Sequence, residues 1–336
     1  MNTKILATIG PSSLNKSVIS KLDKSGIELF RINLSHTKIE DLRSVIENIQ
    51  KWSSVPVCLD SEGAQIRNQD MESEAVFFKK GEEVKIHKNF IKGDSGNISL
   101  APDNVYKQLK DGDIIYIDFH SVALKIFKLG EDTHIAKVIN PGKVGSNKAV
   151  NIDRDIKLSP VTKKDIKAFE IGKSMGINNY SLSFTNTAED VRTVRDIIGK
   201  SNLISKIESI KGVLNLAEIL PLVDNILIDR GDLSREVDIE KIPFIQRRII
   251  AHARSKNTPV YVATNLLESM IHCHMPTRAE VNDIASTLLM GADGLVLAAE
   301  TAVGKYPVQT VEVVNAVIKQ FNRWTPESSS SDIIFN

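Results

Sequence analysis

Two charged residues interrupt a strand-like apolar segment of this sequence, where Lys206 and Glu208 stand two positions apart. Residues i and i+2 of a strand face the same side, so the amine and the carboxylate would lie together. With Asp232, which follows the next strand-like segment, two carboxylates could bind a hard cation such as Mg²⁺. Lys206 would then stabilise charge on a transferring phosphoryl group, and Arg31 would bind phosphate through two donors. A plain ion pair and a solvated turn are the structural alternatives.

Polar residues also stand at the ends of several other apolar segments. In a barrel of βα units the carboxyl ends of the strands meet at one rim, which carries the active site. The sequence therefore predicts that these side chains converge. They are Arg31, Asn33, Ser35 and His36 in the second segment, Asp60 and Ser61 after the third, Asp229 to Asp232 after the sixth, Thr264 and Asn265 after the seventh, and Glu300 and Thr301 after the eighth.

The alternation of strand-like and helix-like segments predicts the fold class. Three such pairs precede residue 68 and five follow residue 151, and eight βα units predict an α/β fold, a closed (β/α)8 TIM barrel built from residues 1–67 and 152–324. Residues 68–151 show short strand-like runs and turns without a long helix, which predicts an inserted small β-barrel lid domain. The polar segment 325–336 is predicted to be a disordered tail.

Composition excludes several classes of protein. The chain has 336 residues and a formal net charge of +1, so no global field favours nucleic acid or a membrane surface. Its two cysteines cannot form a disulfide framework, and its N-terminus lacks the apolar stretch of a signal peptide. No apolar run is long enough to span a bilayer. We therefore expect a cytoplasmic protein.

Seven short motifs, in this order, resemble those of the pyruvate kinase family, and a stretch at Gly145–Asn151 resembles the end of that family's inserted domain. The resemblance covers the chain from Thr3 to about Phe321. The motifs are Thr8-Ile-Gly-Pro11, Arg31-Ile-Asn-Leu-Ser-His36, Ile204-Ser-Lys-Ile-Glu208, Arg230-Gly-Asp-Leu233, Ala263 to Met270, Pro276-Thr-Arg-Ala-Glu280, and Gly291-Ala-Asp293 through Glu300-Thr-Ala302.

The resemblance implies a glycolytic transferase that moves phosphate from phosphoenolpyruvate to ADP and gives pyruvate and ATP. The implied catalytic residues are Lys206, Thr264 and Arg31. The implied substrate contacts are Arg31, Lys206, the backbone of Gly231 and Asp232, and Thr264. The implied nucleotide contacts are Pro11, His36, Arg67 and Lys148. The implied ligands are Glu208 and Asp232 for Mg²⁺ or Mn²⁺, and Asn33, Ser35, Asp60 and Ser61 for K⁺. The inserted domain would close as a lid that excludes water.

The sequence also departs from the family pattern. It stops soon after the eighth helix, so we expect a form without the C-terminal allosteric domain, for which a homodimer remains open. The substituted positions are Glu62 for a lysine, Gln65 at a position tied to potassium, Asp229 for a small residue, Asn265 for a glutamine, Ala298-Ala299 for Ser-Gly, and Asp118-Phe-His120 for Asp-Asp-Gly.

Because these departures surround the acceptor side and the lid, three functions stay open at this point. The first is phosphotransfer of the pyruvate kinase type. The second is a related barrel enzyme with another phosphoryl acceptor or with pyruvate-enolate chemistry. The third is a regulatory pseudoenzyme without catalysis.

Overall fold

The structure, a computed structural model, describes residues 3–118 and 121–335. The strands are β1 Lys4–Ile9, β2 Leu29–Asn33, β3 Val57–Asp60, β4 Ile66–Asn68, β5 Val76–Phe78, β6 Glu83–His87, β7 Asn97–Ala101, β8 Ile114–Ile117, β9 Val122–Lys128, β10 Thr133–Asn140, β11 Gly142–Val144, β12 Ala149–Ile152, β13 Asn179–Leu182, β14 Asn202–Ile207, β15 Asn225–Asp229, β16 Val260–Ala263 and β17 Gly294–Leu297. The α-helices are α1 Lys16–Lys24, α2 Ile39–Trp52, α3 Lys163–Ser174, α4 Ala188–Ile198, α5 Ile210–Leu214, α6 Leu216–Ile219, α7 Arg230–Leu233, α8 Ile242–Ser255, α9 Arg278–Leu289, α10 Ala299–Ala302, α11 Pro307–Arg323 and α12 Ser330–Phe335.

The first compact unit comprises the described residues up to Gly63 and those from Pro160 onward. Its eight parallel strands close into a barrel in the order β1-β17-β16-β15-β14-β13-β3-β2. This confirms the α/β barrel predicted from the eight βα units. The order follows the chain around the barrel because each helix crosses back along the outside to the neighbouring strand.

The helices start where side chains satisfy the free N–H groups of the first turn. The Thr162 hydroxyl accepts a hydrogen bond from the Asp165 backbone N–H, and the Asp165 carboxylate accepts one from the Thr162 backbone N–H. Thr187 and Thr277 begin α4 and α9 in the same reciprocal way. These caps fix the ends of the helices that surround the barrel, and each contributes about 1 kcal/mol.

The lower interior of this barrel is apolar. Six strands each contribute one side chain to it, and β16 contributes two. Filling by bulky side chains makes the lumen a packed core rather than a channel. The members are Leu6, Leu29, Cys58, Ile204, Leu227, Tyr261, Ala263 and Val296.

The second compact unit spans Ala64–Ser159 and is a separate closed barrel of seven strands in the order β10-β6-β7-β4-β12-β8-β9. It begins before, and ends after, the predicted range of 68–151. The reason is local: β4 pairs with β12 inside this barrel, and Arg154 beyond β12 forms an ion pair with Asp113 at 2.8 Å. Strands of three residues, such as β4 and β5, carry too little alternation to be predicted.

The tail differs from the prediction of disorder over 325–336. Residues Ser330–Phe335 form α12, which is a short helix. Ser329 begins it, because the Ser329 hydroxyl donates to Asp332 Oδ2 at 2.6 Å and accepts from the Asp332 backbone N–H at 3.2 Å. The serines that indicated a solvated tail therefore cap a helix.

Within residues 3–118 and 121–335, no helix is both long enough and apolar enough to cross a membrane.

We expect Ile126→Ala to destabilise the second unit strongly, since Ile126 on β9 is 1% exposed in its core. Removing a buried isoleucine side chain costs about 2–5 kcal/mol. Its neighbour Phe127 faces outward and is 46% exposed, so Phe127→Ala should cost less than about 1 kcal/mol. Hydrogen exchange across residues 64–159 measures both variants. Equal losses of protection would contradict the assigned core.

Candidate active site

A polar layer lies directly above the apolar layer of the barrel lumen. On five strands, the residue two positions after the apolar lumen residue is polar or charged. Residues two positions apart on a strand point to the same face, so these side chains also point into the lumen, closer to the carboxyl end. The strands therefore place these five side chains at the carboxyl-end rim. They are Thr8 after Leu6, Arg31 after Leu29, Asp60 after Cys58, Lys206 after Ile204, and Asp229 after Leu227.

Arg31 is buried and fully engaged with its neighbours. Its Nε and Nη2 both lie 2.8 Å from Asp60 Oδ2, and its Nη1 donates to the Thr8 hydroxyl at 2.9 Å. Burial would lower the pKa of Arg31, but the charges of Asp60, Asp229 and Glu208 and the hydrogen bond to Asp60 together outweigh it, and the pKa is raised. Among the described residues, no donor reaches the other carboxylate oxygen, Asp60 Oδ1. Arg31 is thus a fixed positive charge at the rim.

Lys206 is 4% exposed and lies among three carboxylates. Its Nζ is 2.7 Å from Glu208 Oε1, 3.4 Å from Asp60 Oδ2 and 3.7 Å from Asp229 Oδ2, and it donates to the Ser183 hydroxyl at 3.1 Å. Burial would lower the pKa of Lys206, but the three negative charges outweigh it and the pKa is raised. The site therefore holds a permanent ammonium group.

Glu208, Asp229 and Asp232 form the carboxylate cluster of the site, with ligand atoms within 4.8 Å of one another. Burial raises the pKa of Glu208 to about 8, and the charges of Asp232 and Asp229 add to this against the opposing effect of Lys206. Three carboxylates thus offer hard oxygen donors within reach of one another. Such donors fit a divalent cation such as Mg²⁺ or Mn²⁺.

Thr264 has a backbone φ of 77°, in the left-handed region that a β-branched residue rarely adopts. The Arg230 side chain holds it there, because its Nε and Nη2 donate to the Thr264 carbonyl and its Nη1 donates to Asp283 on α9 at 2.7 Å. The Thr264 hydroxyl donates to Asp229 Oδ1 at 2.5 Å. Burial would raise the pKa of Asp229, but Lys206 and this hydrogen bond outweigh it and the pKa is lowered.

The predicted potassium residues lie at the ends of β2 and β3 and in the segments that follow these strands. Asn33 is the register partner of Asp60, and its Oδ1 accepts from the Ser35 backbone at 2.9 Å. The Ser61 hydroxyl accepts from the Ser183 backbone at 2.9 Å. The donor-free Asp60 Oδ1 is the oxygen of this group that best fits a monovalent cation.

Glu62 stands where the family pattern has a lysine. Its carboxylate accepts from Lys164 Nζ at 2.8 Å and from the Thr162 hydroxyl at 3.3 Å. A positive charge contributed by α3 therefore balances Glu62. The sequence could not show this, because the two residues stand 102 positions apart.

The predicted nucleotide contacts are divided between the two units. Pro11 and His36 lie in turns after β1 and β2 of the barrel. In the second unit Arg67 donates to the Asn147 carbonyl at 2.8 Å, and Lys148 lies 3.5 Å from Asp118 Oδ2. The substituted Phe119 and His120 lie outside the described residues.

Two residues of the site were not predicted from the sequence. Thr8 and Ser183 accept hydrogen bonds from Arg31 and Lys206. For Thr8 a signal was present, since it stands two positions after an apolar residue of the first strand. Arg230 was expected at the rim within the segment Asp229 to Asp232, but the pattern did not show that it holds Thr264.

Comparisons with known proteins show the family to which the chain belongs. The family model described as "Pyruvate kinase, barrel domain" matches residues 1–311. The chain is 34% identical to the pyruvate kinase of Thermococcus litoralis over 94% of this chain and 69% of that protein. It is 34% identical to that of Thermotoga maritima over 99% of this chain and 74% of that protein. A crystal structure of a pyruvate kinase from Cryptosporidium parvum superposes with a TM-score of 0.84 at 31% identity, covering 97% of this chain and 70% of that one. The chain belongs to the pyruvate kinase family.

Proposed function

We propose that the chain transfers the phosphoryl group of phosphoenolpyruvate to ADP, giving ATP and pyruvate. The observation that carries this proposal is the buried Lys206 ammonium, which stands at the rim of the barrel beside the carboxylate cluster. A fixed positive charge in a water-poor lumen stabilises a phosphoryl group that moves between two oxygens. The family membership supports the same reaction.

In this proposal Lys206 and Arg31 supply the positive charge that the transferring phosphoryl group meets. Both form ion pairs with Asp60, which hold them in position. Neither side chain therefore has to move when negative charge develops on the phosphoryl group. Glu208 and Asp232 would hold a divalent cation. When bound, that cation supplies further positive charge for the phosphoryl and enolate oxygens. Asn33, Ser35, Asp60 and Ser61 would hold K⁺.

Thr264 and the backbone of Gly231 and Asp232 would contact the carboxylate end of the substrate. After phosphoryl transfer, the enolate takes up a proton at carbon and becomes pyruvate. The Thr264 hydroxyl, held at the rim by Arg230, is proposed to lie on the route of that proton. The proposed nucleotide contacts are Pro11, His36, Arg67 and Lys148.

The first experiment measures pyruvate release from phosphoenolpyruvate with Mg²⁺ and K⁺, with and without ADP. Release that requires ADP, with ATP formed in equal amount, is the expected result. Release that is independent of ADP would indicate another acceptor. Binding of phosphoenolpyruvate without any release would indicate a regulatory protein.

We expect Lys206→Ala to lower the rate of phosphoryl transfer at least about 10²–10³-fold, since the developing charge loses its fixed partner. Removing the ammonium also leaves three buried carboxylates without their shared cation, so stability should fall by about 3–5 kcal/mol. Lys200→Ala, at an exposed position, is the charge-matched control. Full ADP-dependent activity in Lys206→Ala would refute the assignment.

Glu208→Gln and Asp232→Asn should each weaken binding of Mn²⁺ by the free protein, measured by electron paramagnetic resonance of unbound Mn²⁺. A lost carboxylate ligand removes charge and one donor. The wild-type protein should melt at a higher temperature with Mn²⁺ than without it, by linkage, and the variants should not. Asp238→Asn, a surface acid paired with Lys241, is the control. Unchanged Mn²⁺ affinity in both variants would place the cation elsewhere.

Glu62→Lys should not improve the use of ADP, because Lys164 already supplies a positive charge there. The change places two ammonium groups together and should cost about 1 kcal/mol. The double variant Glu62→Lys/Lys164→Glu restores the pair in reverse and should recover the wild-type melting temperature. If the single variant has the same melting temperature as the wild type, the ion pair between Glu62 and Lys164 does not contribute to stability.

A further inference from the structure

Asp229 accepts hydrogen bonds from the donors that are proposed to bind the carboxylate of the substrate. The Thr264 hydroxyl donates to Asp229 Oδ1 at 2.5 Å, and the Asp232 backbone N–H donates to the same carboxylate. Both groups belong to the proposed carboxylate subsite. An internal carboxylate therefore already satisfies the donors that would recognise an external one.

Thr264, Gly231 and Asp229 lie close together. A Cβ built on Gly231 would lie 2.7 Å from Thr264 Cγ2 and 3.5 Å from Asp229 Oδ1, so the three residues share one small space. The Thr264 backbone is held in place, because Arg230 donates to the Thr264 carbonyl and is itself held by Asp283. The Thr264 hydroxyl therefore meets Asp229 from a backbone position that Arg230 fixes.

A ligand carboxylate entering this subsite meets two costs. It has to displace Asp229 from Thr264 and Asp232, and it brings a second negative charge beside Asp229, Glu208 and Asp232, whose ligand atoms lie within 4.8 Å of one another. A neutral group of the same shape avoids the repulsion. Like-charge juxtaposition is one way in which a site rejects a ligand.

We propose that Asp229 is a specificity-determining residue, whose side chain imitates the substrate's carboxylate and weakens the binding of 2-oxo and enol acids that carry one. This rests on the proposed function, which assigns the subsite to a carboxylate. Replacing Asp229 frees the Thr264 hydroxyl and the Asp232 N–H for a ligand. Acidic substrates should then bind more tightly than in the wild-type protein.

The test compares pyruvate with pyruvamide, in which a neutral amide replaces the carboxylate. Ligand-observed NMR titrations in Mg²⁺ give both dissociation constants for the wild type, Asp229→Ala and Asp229→Asn. We expect Asp229→Ala to shift the ratio of the two constants at least about tenfold toward pyruvate, which corresponds to 1.4 kcal/mol. Asp229→Asn removes the charge but keeps an acceptor for Thr264, so its ratio should lie between the other two.

Asp238→Ala makes the same change of charge at an exposed position and should leave the ratio unchanged. Both ligands are titrated at saturating Mg²⁺, so that a change in Mg²⁺ affinity does not enter the ratio. Asp229→Asn also keeps the measurement informative if Asp229→Ala does not fold.

A ratio in both variants within twofold of the wild type, or a shift toward pyruvamide, would overturn the proposal. Failure of every variant to bind pyruvate would overturn it as well. Turnover of phosphoenolpyruvate by the wild type in the same buffer tests the proposed function separately. Turnover with an unchanged ratio means that only the inference about Asp229 fails, whereas no turnover and no binding of either ligand means that both fail.

Discussion

The buried charge cluster around Lys206 is the constraint on which the rest of this site depends. A lysine ammonium in a packed lumen is stable only if carboxylates surround it, and Glu208, Asp60 and Asp229 lie 2.7, 3.4 and 3.7 Å from it. Lys206, Asp60 and Asp229 lie on three different strands, and Glu208 directly follows the strand of Lys206. The barrel has to close in one register for the charges to meet, so the same contacts that balance Lys206 also fix the geometry of the site.

A layered lumen makes this arrangement possible. Apolar side chains such as Leu227 and Ile204 fill the lower barrel, and the residue two positions later on each strand brings charge to the rim above them. The apolar layer excludes water from below, which strengthens every interaction between charges in the layer above. Thr264 also lies at this rim, and its backbone conformation is one that a β-branched residue disfavours. Arg230 and Asp229 stabilise that conformation through their hydrogen bonds to Thr264.

Much of this could be predicted from local pattern. Eight alternating βα units predicted the barrel that the structure shows, and Lys206 and Glu208, which were expected to lie together, are 2.7 Å apart. The shortest strands of the second unit and the helix Ser330–Phe335 were missed. A three-residue strand has no measurable period, and a serine-rich segment is equally typical of a cap and of a solvated tail. For the site, the sequence indicated which residues take part, but it did not indicate which of them contact one another.

The sequence by itself determined the order of the βα units, the inserted domain and the residues that reach the rim, because each of these follows from spacing along the chain. Only the tertiary structure decided which of those residues meet. Lys164 neutralises Glu62, Asp283 holds Arg230, and Thr264 donates to Asp229 rather than standing free for a ligand. Each pair joins residues from different elements, 35 to 102 positions apart. Such contacts depend on barrel closure and side-chain direction, which no local pattern of residues specifies.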